Sequence, residues 1–505
     1  MKTYIKQISA LLFISLIISC SKEEVCYEAD LVLVNSKIYT ANADQWEAEA
    51  LAILGDKFIF IGSNEDSSAY ACGSNRVLDL KDSFIFPGFI DAHAHLKGIG
   101  YREITLNLQG ADSLKNMLTL VQIHSNKLSD GDWVVGRGWI EKKWPEGRFP
   151  TIEELDAISD KKPIALERAD GHAIIVNSLA LKLAGIDRST PDPIGGKIDK
   201  DANGEPNGVL IDKASSLVES IIPKRTREEE KRALREGLNR TAKMGWTQLH
   251  DAGSPLSDYE ILNELKKNEG LPVRIQFYVS DGEDGNKFLD EGPYLDPDHF
   301  LTSRGIKFYA DGAIGSRGAA FFDKYDDYET KGFLIFQKEE TIPKLVKALV
   351  NGIQIQTHAI GDLANKITLD WYEEAFNKVS PENRIIENPR WRVEHAQNIK
   401  PEDQKRYSNL KVIASMQPSH AIGDLHFAHK RLGEERLKDA YTWKKLIELG
   451  VVVVGGSDAP VEIGDPRIEF KAAVSRKDLD GFYEDWWNIE EVVSREEALY
   501  MFTKW

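Results

Sequence analysis

Residues 87–96 read PGFIDAHAHL, and the fold turns on this stretch. His93 and His95 stand two apart, and residues at i and i+2 of a β-strand share a face. Phe84-Ile85-Phe86 and Phe89-Ile90 come just before, an apolar run that predicts one buried strand leading into the pair. Two imidazoles leaving one side of a strand end can hold a divalent cation. His-x-His is a short signal, and paired histidines are often plain surface residues, so its meaning depends on what the rest of the chain supplies.

Downstream the chain alternates helices with apolar runs. Strands are predicted at 246–251, 273–279, 306–311, 353–360, 391–395, 412–416 and 451–457, with helices between most of them, notably 339–351, 363–378 and 434–449. With the His-x-His strand these make eight, the count of a closed (β/α)8 TIM barrel, an α/β fold whose catalytic residues gather at the C-terminal strand ends. A doubly wound open sheet is the alternative, and the lack of a glycine-rich loop after a first strand speaks against it.

Further strand-like runs at 133–139 and 164–168 belong to an insertion after strand 1, about residues 100–225. It also holds a helix capped by Asp112 and running to about Leu128, a capping box at Thr151 and Glu154, and a short helix from Ser178 to Ala184 closed by Gly185. Residues 185–208, rich in Gly, Pro, Asp and Asn, read as a long irregular excursion. Before the barrel, residues 29–87 read as short strands with a hairpin at Gly55-Asp56, the N-terminal part of a small β-sandwich. The barrel domain then takes 88–505.

The 505 residues are 42% hydrophobic and 29% charged, enough for one large domain and a small one. A formal net charge of -17 argues against nucleic acid and against adhesion to anionic membranes. Residues 1–20 read as a leader: Lys2 and Lys6, then an apolar run from Ile8 to Ile18 that is short for a bilayer span, then Ser19-Cys20. This end resembles a bacterial lipobox. It implies lipidation at Cys20, a tether over 21–28, and anchoring to the cell envelope at the outer membrane. Cys26 and Cys72 remain, and in an oxidising compartment they can pair or stay free; sequence gives no distance.

Several chemistry-bearing residues fall at strand ends: His93 and His95 on strand 1, Lys307 on strand 4, His358 on strand 5, His395 on strand 6 and Asp458 on strand 8. Converging at one barrel mouth, they would make a metal-centred hydrolytic site.

The motifs and their order resemble the amidohydrolase superfamily, in its YtcJ-like, amidohydrolase-3 branch. They are PGFIDAHAH, GRGW at 136–139, GHAIIVNSLALKLAGI at 171–186, LHDAG at 249–253, IKFYADGAIGSRGA at 306–319, THAIGD at 357–362, RVEHAQ at 392–397, SMQPSHA at 415–421 and GSDAPV at 456–461. The resemblance implies that His93 and His95 bind one metal, and that His358 and His395 bind a second or help hold a single one. Lys307 matches the place of an N6-carboxylated, metal-bridging lysine. As an ammonium it would repel a cation; as a carbamate it is an anionic donor. Asp458 would carry a proton from the attacking water to the leaving group. The cofactor is one or two divalent ions; zinc suits the donors best, and iron, manganese or nickel would also fit.

His172 and His420 lie in family motifs outside the usual ligand set, as substrate contacts or as hydrogen-bonded pocket histidines. Trp139 and Trp144 would roof the pocket, and His250 would support the ligands. The implied activity is hydrolysis of a C–N bond in a small amide-like molecule. Ester hydrolysis, deamination or isomerisation could use the same site, and a binding lipoprotein without turnover is the rival of another class. Relatives in the family continue through strands that complete the sandwich, whereas this chain ends in a helix-like stretch at 495–505; the expectation is a sandwich with its N-terminal half alone.

Overall fold

The computed structural model describes residues 26–505 except 142–143, 169–172, 194–195 and 485–486. The leader, the Cys20 lipidation site and His172 therefore lie outside the described residues. The chain divides into two compact units at Pro87 and Gly88.

The larger unit is a (β/α)8 barrel. Its strands are β1 (Phe89–Ala94), β2 (Trp246–Ser254), β3 (Arg274–Ser280), β4 (Leu301–Tyr309), β5 (Gln354–Ala359), β6 (Arg392–His395), β7 (Ile413–Met416) and β8 (Val453–Gly455). They pair in sequence order, every neighbour parallel, as crossover helices require. The seam between β8 and β1 is bridged just past the strand ends: the Asp458 N–H donates to the His93 carbonyl at 2.6 Å, and the His95 N–H to the Ala459 carbonyl at 2.7 Å. Gly456 permits this approach, because a Cβ there would lie 2.5 Å from the His93 nitrogen.

Apolar strand residues such as Ile275, Phe277, Ile306, Ile355 and Val393 point at the surrounding helices and form the main core. Among those helices are Arg227–Met244, opened by a capping box at Thr226 and Glu229, and Asp362–Lys378. The predicted helix 434–449 is instead two pieces, Ala428–Leu437, broken at Gly433, and Trp443–Glu448. Tertiary bonds win there. Tyr441 adopts φ +54°, with its N–H on the Gln397 carbonyl and its hydroxyl on Asp424.

The insertion after β1 builds its own six-stranded sheet from residues 106–107, 134–139, 164–168, 173–176, 206–212 and 196–200, with two apolar clusters of its own. Two details differ from the sequence reading. Ser113, not Asp112, caps the helix Leu114–Ser125, its hydroxyl taking the Asn116 N–H. The excursion at 185–208 contains a paired hairpin, Gly196–Lys200 against Pro206–Asp212.

The smaller unit, described from residue 26, has a five-stranded sheet, a two-stranded one that pairs Glu28–Ala29 with Gly73–Ser74, and the helix Asn64–Ala71. Gly55, at φ +59°, turns the hairpin between Ala50–Leu54 and Lys57–Gly62. Cys26 and Cys72 form a disulfide with Cα atoms 5.7 Å apart. The apolar run Phe84-Ile85-Phe86 does not lead β1. Phe84 and Ile85 end a strand of this unit that starts at Val77, and Phe84 and Phe86 are 59% and 49% exposed.

Candidate metal centre

β1 delivers His93 from its penultimate position, and His95 is the residue preceding the helix Leu96–Ile104. Asp251, at the end of β2, accepts the Leu96 N–H at 3.0 Å, which pins the backbone next to His95. Both imidazoles reach one carboxylate oxygen: Asp458 Oδ1 is 3.1 Å from His95 Nε2 and 3.6 Å from His93 Nε2. The other oxygen, Oδ2, lies 3.3 Å from His420 Nε2. The ligand atoms of His93, His395 and Asp458 lie within 4.8 Å of one another. His358 packs on His395 with ring centroids 4.5 Å apart, and Lys307 Nζ is 3.4 Å from His93 Nε2. All six residues expected at the mouth converge.

Two of them depend on unusual backbone. Asp458 and His395 have φ of +56° and +69°, a region that L side chains rarely occupy. On β6, Arg392 and Glu394 share the inward face, so alternation would send His395 outward. The left-handed turn at His395 brings it inward instead.

The imidazoles are oriented by partners behind them. His93 Nδ1 is hydrogen-bonded to a carboxylate oxygen of Glu394, which Arg392 grips through Nε at 2.7 Å and a terminal nitrogen at 3.0 Å. Arg392 is also 2.9 Å from His250 Nδ1, so His250 stands three contacts behind His93, through Arg392 and Glu394. His395 Nδ1 donates to Gln417 Oε1 at 2.8 Å. In both His93 and His395 the Nε2 lone pair is left for a ligand role, the usual logic of carboxylate- or carbonyl-backed metal histidines. His358 is the reverse: its Nε2 lies 3.3 Å from the Gly312 carbonyl, which leaves Nδ1. Asp311, beside it, collects the N–H groups of Ala320, Ile360 and Gly361 and ties the β4 and β5 ends together.

Burial sets the charges. It pushes His93 down to about 4 and His358 to about 3, helped by the Lys307 ammonium, so both imidazoles are neutral at pH 7 and can donate lone pairs. Lys307 is lowered to about 8, burial outweighing the attraction of Glu394 and Asp458. Burial opposes ionisation of Asp458, yet the imidazoles of His420 and His95 override it and hold its carboxyl well below the usual range. Asp458 Oδ1 is buried and accepts no hydrogen bond among the described residues. The ionised Asp458 carboxylate and the neutral imidazoles of His93, His358 and His395, gathered at one mouth, fit a divalent cation. An ammonium at Lys307 does not, so that residue fits such an ion after loss of its charge.

Two expectations need revision or fall away. Trp139 is fully buried, donates to the Leu166 carbonyl at 2.9 Å and packs on Trp144 and Phe149. It is a core residue of the insertion and not a substrate contact, and Trp144, bonded to the Ala111 carbonyl, is the same. An aromatic pattern reads alike in a core and in a pocket roof. Glu394, Arg392, Gln417 and Asp311 were not singled out, although the first two stand inside RVEHAQ with the spacing that puts both on the face of His93's partner.

The profile of the amidohydrolase family matches residues 76–505. The chain belongs to the amidohydrolase family. An amidohydrolase of Bacillus subtilis (strain 168), YtcJ, is 32% identical over 92% of this chain and 88% of its own length. The N-substituted formamide deformylase of Arthrobacter pascens is 27% identical over 94% and 88%. Among solved structures, an uncharacterized metal-dependent hydrolase from Pyrococcus horikoshii OT3 superposes with a TM-score of 0.76 at 26% identity, covering 94% of this chain and 91% of that one. This amidohydrolase is thus of the YtcJ-like branch, a metal-dependent hydrolase built on a TIM barrel.

Proposed function

We propose that this amidohydrolase cleaves the C–N bond of a small amide-like molecule by addition of water, with zinc as its one or two ions. The carrying observation is the Asp458 carboxylate, held ionised between His95 and His93 on one oxygen and His420 on the other. A carboxylate so placed takes a proton from the attacking water and returns it to the leaving nitrogen. The resemblance to a protein named for acting on an N-substituted formamide supports the C–N assignment over ester cleavage. When bound, a divalent cation would supply Lewis acidity here, for activation of water and polarisation of the carbonyl. His93, His95, His358 and His395 would hold it, with Lys307 as an N6-carboxylate. Burial favours that modification, because an amine lowered to about 8 is partly uncharged and nucleophilic toward CO2 at neutral pH.

The Lys-rich start, apolar run and Ser19-Cys20 of the leader support export and lipidation at Cys20, with the enzyme anchored to the bacterial envelope at the outer membrane. Loss of the anchored fraction in Cys20→Ser tests that part.

The test of the activity is metal per chain in protein purified without chelator and with bicarbonate, for the parent and Lys307→Ala, alongside amine release from a panel of amides. Metal in the parent, less in the variant, and amine release together support the reading. A folded, metal-free parent that releases no amine overturns it and leaves a binding lipoprotein.

A further inference from the structure

Tyr309 stands in the wall of the site, its hydroxyl without a hydrogen bond among the described residues. On β4, Lys307 and Tyr309 share one face while Phe308 turns into the core behind. Tyr309 lies two residues nearer the mouth, about 6–7 Å beyond Lys307 along the strand. The strand register pairs it with His358, and their ring centroids are 5.8 Å apart. Its ring covers Lys307, with Nζ 5.0 Å from the centroid. Its hydroxyl reaches toward the end of β2: a Cβ on Gly253 would come 3.3 Å from that oxygen and 2.9 Å from Lys307 Cγ. Gly253, at φ +99°, keeps this corner open.

Lys307 is 1% exposed, whereas Tyr309 is 39% exposed, so the phenol sits between the ligand layer and the mouth where substrate enters. The buried tyrosines use their hydroxyls within the protein: Tyr325 on the Ala319 carbonyl, Tyr372 on the Arg392 carbonyl, Tyr407 on Asn365, Tyr441 on Asp424. Among the described residues no hydrogen bond engages that of Tyr309. An exposed strand-end phenol with an unspent donor, touching the ring of His358 and the amine of Lys307, is placed to meet a substrate.

We propose that Tyr309 is a catalytic residue whose hydroxyl donates a hydrogen bond to the substrate's carbonyl oxygen. This rests on the C–N hydrolase reading above. As water adds to the carbonyl carbon, the C=O π pair moves to oxygen, and that oxygen gains negative charge. The Tyr309 O–H donates to it without giving up its proton. Asp458 accepts the proton lost by the water. When the C=O re-forms, the C–N bond breaks and nitrogen takes that proton from Asp458, giving a carboxylic acid and an amine. A donor aimed at a developing oxyanion contributes most in the transition state, so its loss lowers kcat more than it raises KM.

Tyr309→Phe keeps the ring over Lys307 and removes the donor. The full-length, metal-loaded parent and variant are compared for amine release from N-benzylformamide and other simple amides. Their binding of methylphosphonate, a tetrahedral oxyanion, is compared by calorimetry. Tyr309→Phe is expected to keep its metal content and Tm, to lose about 10²–10³-fold in kcat, and to bind methylphosphonate at least about tenfold more weakly. A kcat within about twofold of the parent, or an unchanged methylphosphonate Kd, overturns the proposal. Loss of metal from the variant also overturns it, because the phenol would then be packing Lys307. If the parent binds methylphosphonate but releases no amine, the C–N reading fails, and the phosphonate comparison still decides the role of Tyr309. A parent that does neither overturns both.

Discussion

His93 and Asp458 meet twice. The Asp458 N–H donates to the His93 carbonyl at 2.6 Å, and the side chains face each other with Asp458 Oδ1 3.6 Å from His93 Nε2. The end of the last barrel strand is thus tied to the first at two residues of the candidate metal centre. Closure of the barrel and assembly of the site are one event.

Asp458→Asn follows directly. Asparagine tolerates the φ of +56° and keeps the backbone bond, so the chain should still fold, with a lower Tm because the charge that His420 and His95 hold is gone. The variant cannot take a proton from water as the ionised carboxylate does, and turnover should fall about 10²–10⁴-fold. Amine release by parent and variant, with melting curves on both, measures this. Full activity in the variant would remove proton transfer from Asp458.

Glu394 is the anchor of His93, and Arg392 is the anchor of Glu394. Glu394→Gln leaves Arg392 buried without its anion and sets an amide N–H against a donor. Breaking a buried pair costs about 3–5 kcal/mol, and loss of a ligand's backing carboxylate weakens metal binding about 10–100-fold. Metal affinity by chelator competition, together with Tm, checks both effects. Unchanged metal affinity would mean that His93 needs no help to hold its tautomer.

Gly456→Ala strikes the seam from the other side. Its Cβ would be 2.5 Å from the His93 backbone nitrogen, with backbone and not a flexible side chain in the way. A cost of about 1–3 kcal/mol is expected, with metal affinity falling as well, because the strands that must part hold His93 and Asp458. If the variant loses Tm and keeps its metal affinity, the seam and the site are independent.

The eight barrel strands were legible because each is a short apolar run between helical stretches, and burial on both faces imposes that pattern. The histidines, Lys307 and Asp458 of the mouth were legible as a group because they stand at or near the ends of those runs. What failed was whatever depends on which side of a wall an apolar group lies. Phe84 and Phe86 have the composition of a buried strand and are exposed; Trp139 has that of a pocket roof and is in a core. Glu394 was hidden for a backbone reason. Strict alternation makes His395 and Glu394 point opposite ways, and only the φ of +69° at His395 brings both inward. The junction at Asp458 and His93 was beyond the sequence as well, since it joins residues 365 apart in the chain (458 − 93).

The last prediction concerns pH and a carboxyl outside the ligand set. Glu469, on the helix Pro466–Ser475, accepts the Ser419 N–H at 3.0 Å, and its other oxygen is buried without a hydrogen bond among the described residues. Burial pushes its carboxyl from 4.5 up to about 8, against the pull of Ser419. Between those values the folded chain holds a proton that the unfolded chain releases. The stabilisation is therefore complete below 4.5 and is lost as pH rises through about 8. Glutamine mimics the protonated form, accepts the same Ser419 bond and has no proton to lose. The parent's Tm should drop between about pH 6 and about pH 9, and Glu469→Gln should lose distinctly less over that interval. Melting curves of both proteins at the two pH values measure the difference. Parallel declines would show that Glu469 is ionised in the folded protein throughout, with its charge met by a group other than Ser419.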